Sequence, residues 1–388
     1  MKVLMLAPHP FYQERGTPIA VDLLLRALTE RGYQVDLLTF NEGSDVDYPG
    51  LNIHRVKPFP SVKNVRPGFS GKKLLLDIFV FFKFIRLMIS QRYTVVHAVE
   101  ESAFMALLIC PLFRTPYIYD MDSSMVTQIL DKITLLRPLE KPLRWLESLP
   151  MRHANLVIPV CAALAEDVSR YRSAGIHLLK DVSLANTAIN TPAETQTMNI
   201  RKNFKLDGKV FMYIGNLESY QGIDLMLDAF SIFYPRHPGS SLVIIGGEDE
   251  HIKYYKDKYL KPAIRDAVIF MGKQPVAQIN QFMSQADILL SPRTQGVNTP
   301  MKLYSYLDSG VVVLATDLPT HTQVADSTTA YLCAANARSF AAGMETLSLD
   351  TGLCNKLSDN AKALIAKEHS YPVFQTRLYA IYDALPAR

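Results

Sequence analysis

The chain has 388 residues, 48% of them apolar and 20% charged, with a formal net charge of +4. That length exceeds what one hydrophobic core usually serves, so two domains are expected. The charge is too small to point to nucleic acid. It is also uneven, with 22 Lys/Arg against 18 Asp/Glu in residues 1–190 and 19 against 19 in the rest. The first half is therefore the better match for an anionic surface. Cys110, Cys161, Cys333 and Cys354 are scattered, with no metal-binding pair, and read as reduced core thiols. The opening MKVLMLAPHP has too short an apolar run for a signal peptide, so a cytoplasmic protein is expected.

In chain order, VLMLAP reads as a strand that runs into a loop from Pro8 to Pro18. IAVDLLLRALTERG then shows helical spacing and stops at Gly32. YQVDLLTF (33–40) is the next strand, and YTVVHAV (93–99), TPYIYDMD (115–122) and ANLVIPV (154–160) follow. These near-continuous apolar runs, separated by helices, predict a parallel sheet covered on both faces. VSLAN (182–186) is expected as the last strand of the first half. The polar run from Thr187 to Lys205 marks the boundary, with 191–205 as linker.

The pattern then restarts. Strands are expected at KVFMYIG (209–215), SLVIIGG (241–247), AVIFMG (267–272), DILLS (287–291), VVVLATD (311–317) and TAYLCA (329–334). Residues 206–365 thus form a second doubly wound unit. The amphipathic YPVFQTRLYAIYDAL is expected to be helical, within a C-terminal segment 366–388 that packs back on the first half.

Segment 71–90, GKKLLLDIFVFFKFIRLMIS, is too short and too charged for a convincing membrane span. Two readings stay open. It could be buried against the sheet, or it could lie in an anionic membrane interface with its lysines near lipid phosphates.

The residues with chemistry cluster at strand ends, where open α/β sheets bind ligands. Gly16, in Gly16-Thr17-Pro18, could bring backbone close to a sugar or phosphate, or could simply make a turn. Asp120 and Asp122 close a strand, and Asp122, Ser123 and Ser124 could each cap the next helix. Glu100 and Glu101 end the neighbouring strand, and one could approach an acceptor hydroxyl. His97 lies inside that strand and reads as a core histidine. In the second half, Gly215 ends a strand, and Asn216, Glu218, Tyr220, Gln221 and Gly222 fill the following loop. Gly246 and Gly247 would let a base or ribose lie close, and Lys273 could add charge. The stretch SPRTQGVNTPMKLYSYLDSG (291–310) offers Arg293 as a cation for a leaving diphosphate. Asn298, Thr299 and the N–H groups from Met301 to Leu303 complete that cradle. Arg293 could alternatively clamp neighbouring loops.

Together, the N-terminal glycine loop, YIGNLESYQGIDLML and the SPR–NTP–K–YSYL–SG run through His321 resemble the retaining glycosyltransferases of family 4. These have the GT-B fold, two Rossmann-like domains facing each other across a cleft. The resemblance implies that the C-terminal half holds a nucleotide-sugar donor and the N-terminal half an acceptor; a hydroxyl acceptor is expected, for which a lipid or a cell-envelope glycan is a candidate. It implies no cofactor and no divalent metal at the diphosphate. By the same resemblance Gly16 lies beside the transferring sugar, and Asp122 stands where many members carry a histidine. Asn216 and Gln221 stand where the family has the arginine and lysine that grip the diphosphate. Gln295 stands near its first acidic position, and Ser305 where a glutamate holds the ribose. The same neutral choices resemble a narrower bacterial subgroup, in which Arg293 and Lys273 would compensate.

Rival readings are a non-catalytic glycan-assembly partner, a nucleotide-sugar epimerase on the same fold, and a two-carboxylate glycoside hydrolase using Asp120 and Glu100. Dinucleotide oxidoreduction lacks its full Gly-x-Gly-x-x-Gly loop.

Overall fold

The computed structural model describes residues 1–13, 16–57, 71–184, 198–296 and 298–386. They form two compact units. One comprises Met1–Lys180 with Phe374–Arg388, and the other Asp181–Val373.

In the first unit the strands are β1 (Lys2–Ala7), β2 (Gln34–Thr39), β3 (Leu51–Arg55), β4 (Val95–Val99), β5 (Tyr117–Met121) and β6 (Leu156–Pro159). The helices are α1 (Gly16–Glu30), α2 (Gly71–Ser90), α3 (Ser102–Ile109), α4 (Met125–Lys132), α5 (Glu140–His153) and α6 (Ala162–Ser169). All strands are parallel, in the order β3-β2-β1-β4-β5-β6. The chain winds one way from β1 to β3 and the other way from β4 to β6. Right-handed crossovers then set α1 on one face and α2, α3 and α5 on the other. Leu4 and Leu6 of β1 share a buried cluster with Leu76, Val80 and Phe84 of α2, Ala103 and Ala106 of α3, and Met151 of α5.

The second unit repeats the scheme. Its helices are α7 (Ile200–Phe204), α8 (Ile223–Phe233), α9 (Asp249–Lys258), α10 (Ile279–Met283), α11 (Met301–Asp308), α12 (Pro319–Thr322), α13 (Ala337–Leu349) and α14 (Thr351–Glu368). Its strands are β7 (Val210–Ile214), β8 (Ser241–Ile245), β9 (Val268–Gly272), β10 (Ile288–Ser291), β11 (Val312–Thr316) and β12 (Tyr331–Cys333). The order is β12-β11-β10-β7-β8-β9, again parallel. In each sheet the direction of winding reverses between two adjacent strands, β1 and β4 in the first and β7 and β10 in the second. The carboxyl ends of such a pair splay their loops apart and leave a crevice.

The sequence reading missed β3. LNIHR is short and half polar, and all but one of its residues are partly exposed. It forms because Val35 to Thr39 of β2 offers an open edge. The expected strand at VSLAN is corrected. Val182–Leu184 form no strand, and residues 185 and 186 lie outside the described residues. There the chain is held by side chains instead. Ser183 donates to Asp308 at 2.7 Å, and the Leu184 N–H to the Ser305 hydroxyl at 3.2 Å. Of the expected linker, 191–197 lie outside the described residues. Asn199 caps the short α7 through the Lys202 N–H.

The last helix, α15 (Tyr371–Asp383), reaches the first sheet through a buried polar contact. The Tyr382 hydroxyl sits 2.9 Å from His97 Nδ1, and the other ring nitrogen is 3.2 Å from Asp120. At the surface one Arg31 Nη donates to both Asp383 oxygens, each at 2.8 Å. Both contacts tie α15 to the first unit, but burial makes them unequal. Tyr382→Phe leaves a buried imidazole nitrogen unpaired and should cost about 1–3 kcal/mol. Asp383→Asn affects a carboxylate that is 64% exposed and should move the urea midpoint far less. Equal midpoint shifts for the two variants would contradict this ordering.

Candidate anion site at the strand ends of the second unit

The crevice between β7 and β10 is built by two loops that touch. Beyond β7, Gly215 leads through Asn216 to a single turn, Ser219–Gln221, and then to Gly222 in the left-handed region at φ 71°. Gly222 must be glycine here, because a Cβ would come within 2.0 Å of the Pro292 carbonyl oxygen. The Thr294 N–H donates to the Tyr220 carbonyl at 3.0 Å, which fastens the two loops. Gly246, at the end of β8, allows a similarly close approach, since its Cβ would sit 2.2 Å from the Gly215 oxygen.

Helix α11 enters from the β10 side. Tyr306 fixes it to β7. Its hydroxyl accepts from the Ile214 N–H at 2.7 Å and lies 3.2 Å from the Ile214 carbonyl. One turn earlier, on the same side, stands Lys302. Its ammonium donates to the Gln221 side-chain oxygen at 3.1 Å and lies 3.8 Å from the centroid of the buried Tyr213 ring. Burial, then the nearby Arg293 charge, pushes the Lys302 amine well below its usual range. Pro300 precedes the helix without any side-chain cap. The Leu303 N–H is taken by the Pro300 carbonyl, so the first turn presents Met301 and Lys302.

Arg293 serves as a clamp as well as a charge. It donates to the Gln295 carbonyl at 2.8 Å, the Asn298 carbonyl at 2.9 Å and the Thr320 hydroxyl at 3.1 Å. Its guanidinium lies 5.1 Å from the Tyr220 ring centroid. Among the described residues neither Arg293 nor Lys302 forms an ion pair. The Thr299 hydroxyl is buried with no hydrogen-bond partner among them. Beneath the loop His321 is fully buried, with Nε2 2.8 Å from Ser291 Oγ and Nδ1 2.8 Å from the Thr316 carbonyl. Burial, reinforced by Lys302 and Arg293, pushes it down to about 4, so at neutral pH it is an uncharged strut.

The expected site residues separate accordingly. Gly215, Gln221, Arg293, Asn298 and Thr299 come together around Lys302, with Gly246 behind them. Asn216 is exposed and accepts from the Glu218 N–H at 3.3 Å. Lys273 stands at the surface paired with Glu248 at 2.5 Å. Ser305 faces Leu184 rather than the two cations. The sequence reading did not single out Lys302. A lysine one residue into an amphipathic helix looks like a solvated side chain. The available signal was its position two residues after a proline at the mouth of a strand-end loop.

In the first unit, Gly16 opens α1 with open space where a Cβ would go, and Arg15 lies outside the described residues. Asp122 follows β5. Ser124, rather than Asp122, caps α4, accepting from the Thr127 N–H at 3.2 Å while donating to Glu147 at 2.9 Å. Ser123 donates to the Glu100 carboxylate at 3.0 Å. Lys73 pairs with Glu101 at 2.6 Å. Burial, then the Glu101 charge, pushes Asp77 up to about 8 and Glu100 upward as well.

Two measurements test this electrostatic picture. Lys302→Met removes an enclosed cation that has no carboxylate, so its unfolding midpoint should stay level or rise. A clear fall would mean that the amine stabilises the fold. For Asp77 the folded pKa lies above the unfolded value. The native state therefore binds the extra proton, and its stability should decline as pH rises from about 4 through about 8. Asp77→Asn should flatten that decline in urea titrations across the window.

Comparison with known proteins follows the division into units. The model of the glycosyl transferase 4-like domain matches residues 15–177, and that of glycosyl transferases group 1 matches residues 195–364. An uncharacterized glycosyltransferase of Methanocaldococcus jannaschii is 22% identical over 304 residues, 75% of this chain and 74% of that protein. Sucrose-phosphate synthase from Thermosynechococcus elongatus superposes with a TM-score of 0.78 at 17% identity, over 99% of this chain and 98% of that one. Anabaena HepE, solved in complex with UDP, gives 0.76 at 15% identity, over 99% of this chain and 100% of that one. At these identities the structural likeness speaks for the fold, and the two matched domains speak for the family. The chain belongs to the glycosyltransferases of GT-B fold, with a glycosyl transferase 4-like domain first and a group 1 domain second.

Proposed function

We propose that this protein moves a hexose-like sugar from a nucleotide diphosphate to a hydroxyl acceptor, a lipid or cell-envelope glycan, with retention of anomeric configuration. The observation that carries this reading is the pair Lys302 and Arg293. These two cations stand at the β7/β10 crevice beside an uncapped helix start, and neither has a carboxylate partner among the described residues. Such a pocket is complete only when an anion enters it. A diphosphate would sit against Lys302, Arg293 and the start of α11, with the unpartnered Thr299 hydroxyl free to donate. HepE, a neighbour in fold, binds UDP.

In the transfer, the bond from the sugar C1 to the diphosphate oxygen breaks and a bond from C1 to the acceptor oxygen forms. The departing phosphate oxygen takes the acceptor proton. Charge builds on the leaving diphosphate, where the two cations and the first N–H groups of α11 are already aimed. No divalent metal is assigned to the diphosphate. Burial lowers the Lys302 amine, and an anion beside it would favour its charged form. Asp122 and Gly16 of the first unit are assigned to the sugar and acceptor side. Asn216, Gln221, Gly246 and Ser305 are kept as neutral donor-side contacts. Lys273, already paired with Glu248, is the least committed of them.

We also read α2 as an attachment surface for anionic membrane. Its inner stripe is buried, but Leu74, Ile78, Phe82 and Ile89 are 55, 48, 64 and 72% exposed. Among the described residues no helix is long and apolar enough to cross a membrane.

A thermal-shift screen against nucleoside diphosphates and their sugar conjugates tests the donor reading. One class should raise the midpoint, with stabilisation near 2.7 kcal/mol at a hundredfold excess over Kd. Arg293→Ala and Lys302→Met should each weaken that ligand by roughly tenfold to a hundredfold. Silence toward every nucleotide would replace this reading with that of a non-catalytic assembly partner. Acceptor-independent isomerisation of the donor would replace it with an epimerase.

A further inference from the structure

We propose that a groove of about 420 Å³ along α5, lined by Lys141, Arg144, Trp145, Arg152 and Tyr171, binds the phosphate of an anionic lipid headgroup. This rests on the membrane reading above and adds a second, chemically selective contact to it.

Lys141, Trp145 and Arg152 stand at i, i+4 and i+11, so one stripe of α5 carries all three. The single acid in the groove lining, Glu140, is engaged by Arg144 at 2.9 Å. Lys141 and Arg152 form no ion pair among the described residues, so the groove carries two uncompensated positive charges. Arg152 is steadied over the Tyr171 ring at 5.6 Å from its centroid. A phosphate oxyanion matches this set.

The apolar surroundings decide for lipid over a free anion. Trp145 is 56% exposed, and Leu139 and Leu146 beside it are 51% and 45% exposed. A monomeric protein in water gains nothing from such a rim, whereas tryptophan flanked by Lys and Arg is the composition favoured at a lipid interface. Orientation agrees. Met151 of α5 and Leu76, Val80 and Phe84 of α2 enter the same buried cluster on one face of the first sheet. The outer surfaces of both helices therefore look away from that sheet on the same side. The turn after α3 contributes Leu112, 75% exposed, to that side.

The chain has one tryptophan, so its emission reports this groove. The full-length protein would be mixed with phosphatidylcholine vesicles, with and without phosphatidic acid. Binding should increase and Trp145 emission should shift to the blue only with phosphatidic acid. Lys141→Ala with Arg152→Ala should lower affinity for those vesicles on the order of tenfold to thirtyfold and abolish the shift. Lys356→Ala with Lys367→Ala, an equal charge loss on α14, should leave both intact. Equal losses in the two double variants would reduce the effect to bulk charge and overturn the proposal. So would vesicle binding without any change in emission, which leaves attachment through α2 standing. A blue shift with inorganic phosphate alone would overturn the lipid assignment. Absence of vesicle binding altogether would overturn both this site and the α2 reading.

Discussion

The second unit is organised around an unneutralised charge. Arg293 is brought to the crevice by the loop after β10 and Lys302 by α11, which that loop opens, and no carboxylate answers them among the described residues. Removing charge from water is costly unless a partner is supplied. The protein reduces that cost in part. Lys302 leans on the Tyr213 ring and the Gln221 oxygen, and Arg293 on two loop carbonyls and the Thr320 hydroxyl of α12. Those are dipoles and a π face, with no full negative charge among them. What remains is a local field awaiting an anion, and the backbone has been shaped to keep it. Gly222 lets the two loops meet, Tyr306 holds α11 to β7, and the neutral His321 supports the floor without adding to the repulsion.

The first unit handles its polar groups in the opposite way. His97 has Asp120 on one ring nitrogen and Tyr382 on the other. Ser124 and Glu147 satisfy each other while capping α4, and Lys73 meets Glu101. The surplus acids, Asp77 and Glu100, are accommodated by retaining protons. Its carboxylates are thus neutralised from within, which makes this unit a poor host for a further buried anion at the strand ends. The two domains share a topology, yet at the strand ends the second leaves Lys302 and Arg293 without a carboxylate among the described residues.

Much of this fold was legible because parallel strands buried on both faces leave continuous apolar runs, as in VLMLA and LVII. β3 was not, because an edge strand with one neighbour needs few apolar residues, and LNIHR has few. Val182–Leu184 misled in the other direction. The segment is held to α11 by the Ser183 hydroxyl and the Leu184 N–H, and not by strand pairing. The site divided along similar lines. Glycines at strand ends announce themselves, since only a close approach or a left-handed turn explains them. The destination of a long side chain is set by tertiary packing. That is why Lys273, expected as a donor cation, is a surface ion pair with Glu248, while Lys302, which was not singled out, is enclosed between Tyr213 and Gln221.

The neutral residues at Asn216 and Gln221 take on a different meaning in this geometry. A cation at Gln221 would stand within hydrogen-bonding distance of the Lys302 ammonium, and two like charges at that separation, shielded from water, would repel strongly. The amide therefore suits the lysine that reaches it from α11. It removes a charge and supplies an acceptor in the same place. Arg293 adds charge from the β10 loop, where its fork also holds the Gln295 and Asn298 carbonyls. The positive charge of the crevice thus stands on the β10 side, in Arg293 and Lys302, and the β7 loop answers it with the neutral Gln221. A neutral side chain at Gln221 therefore joins the two sides of the crevice by a hydrogen bond where a second cation would push them apart.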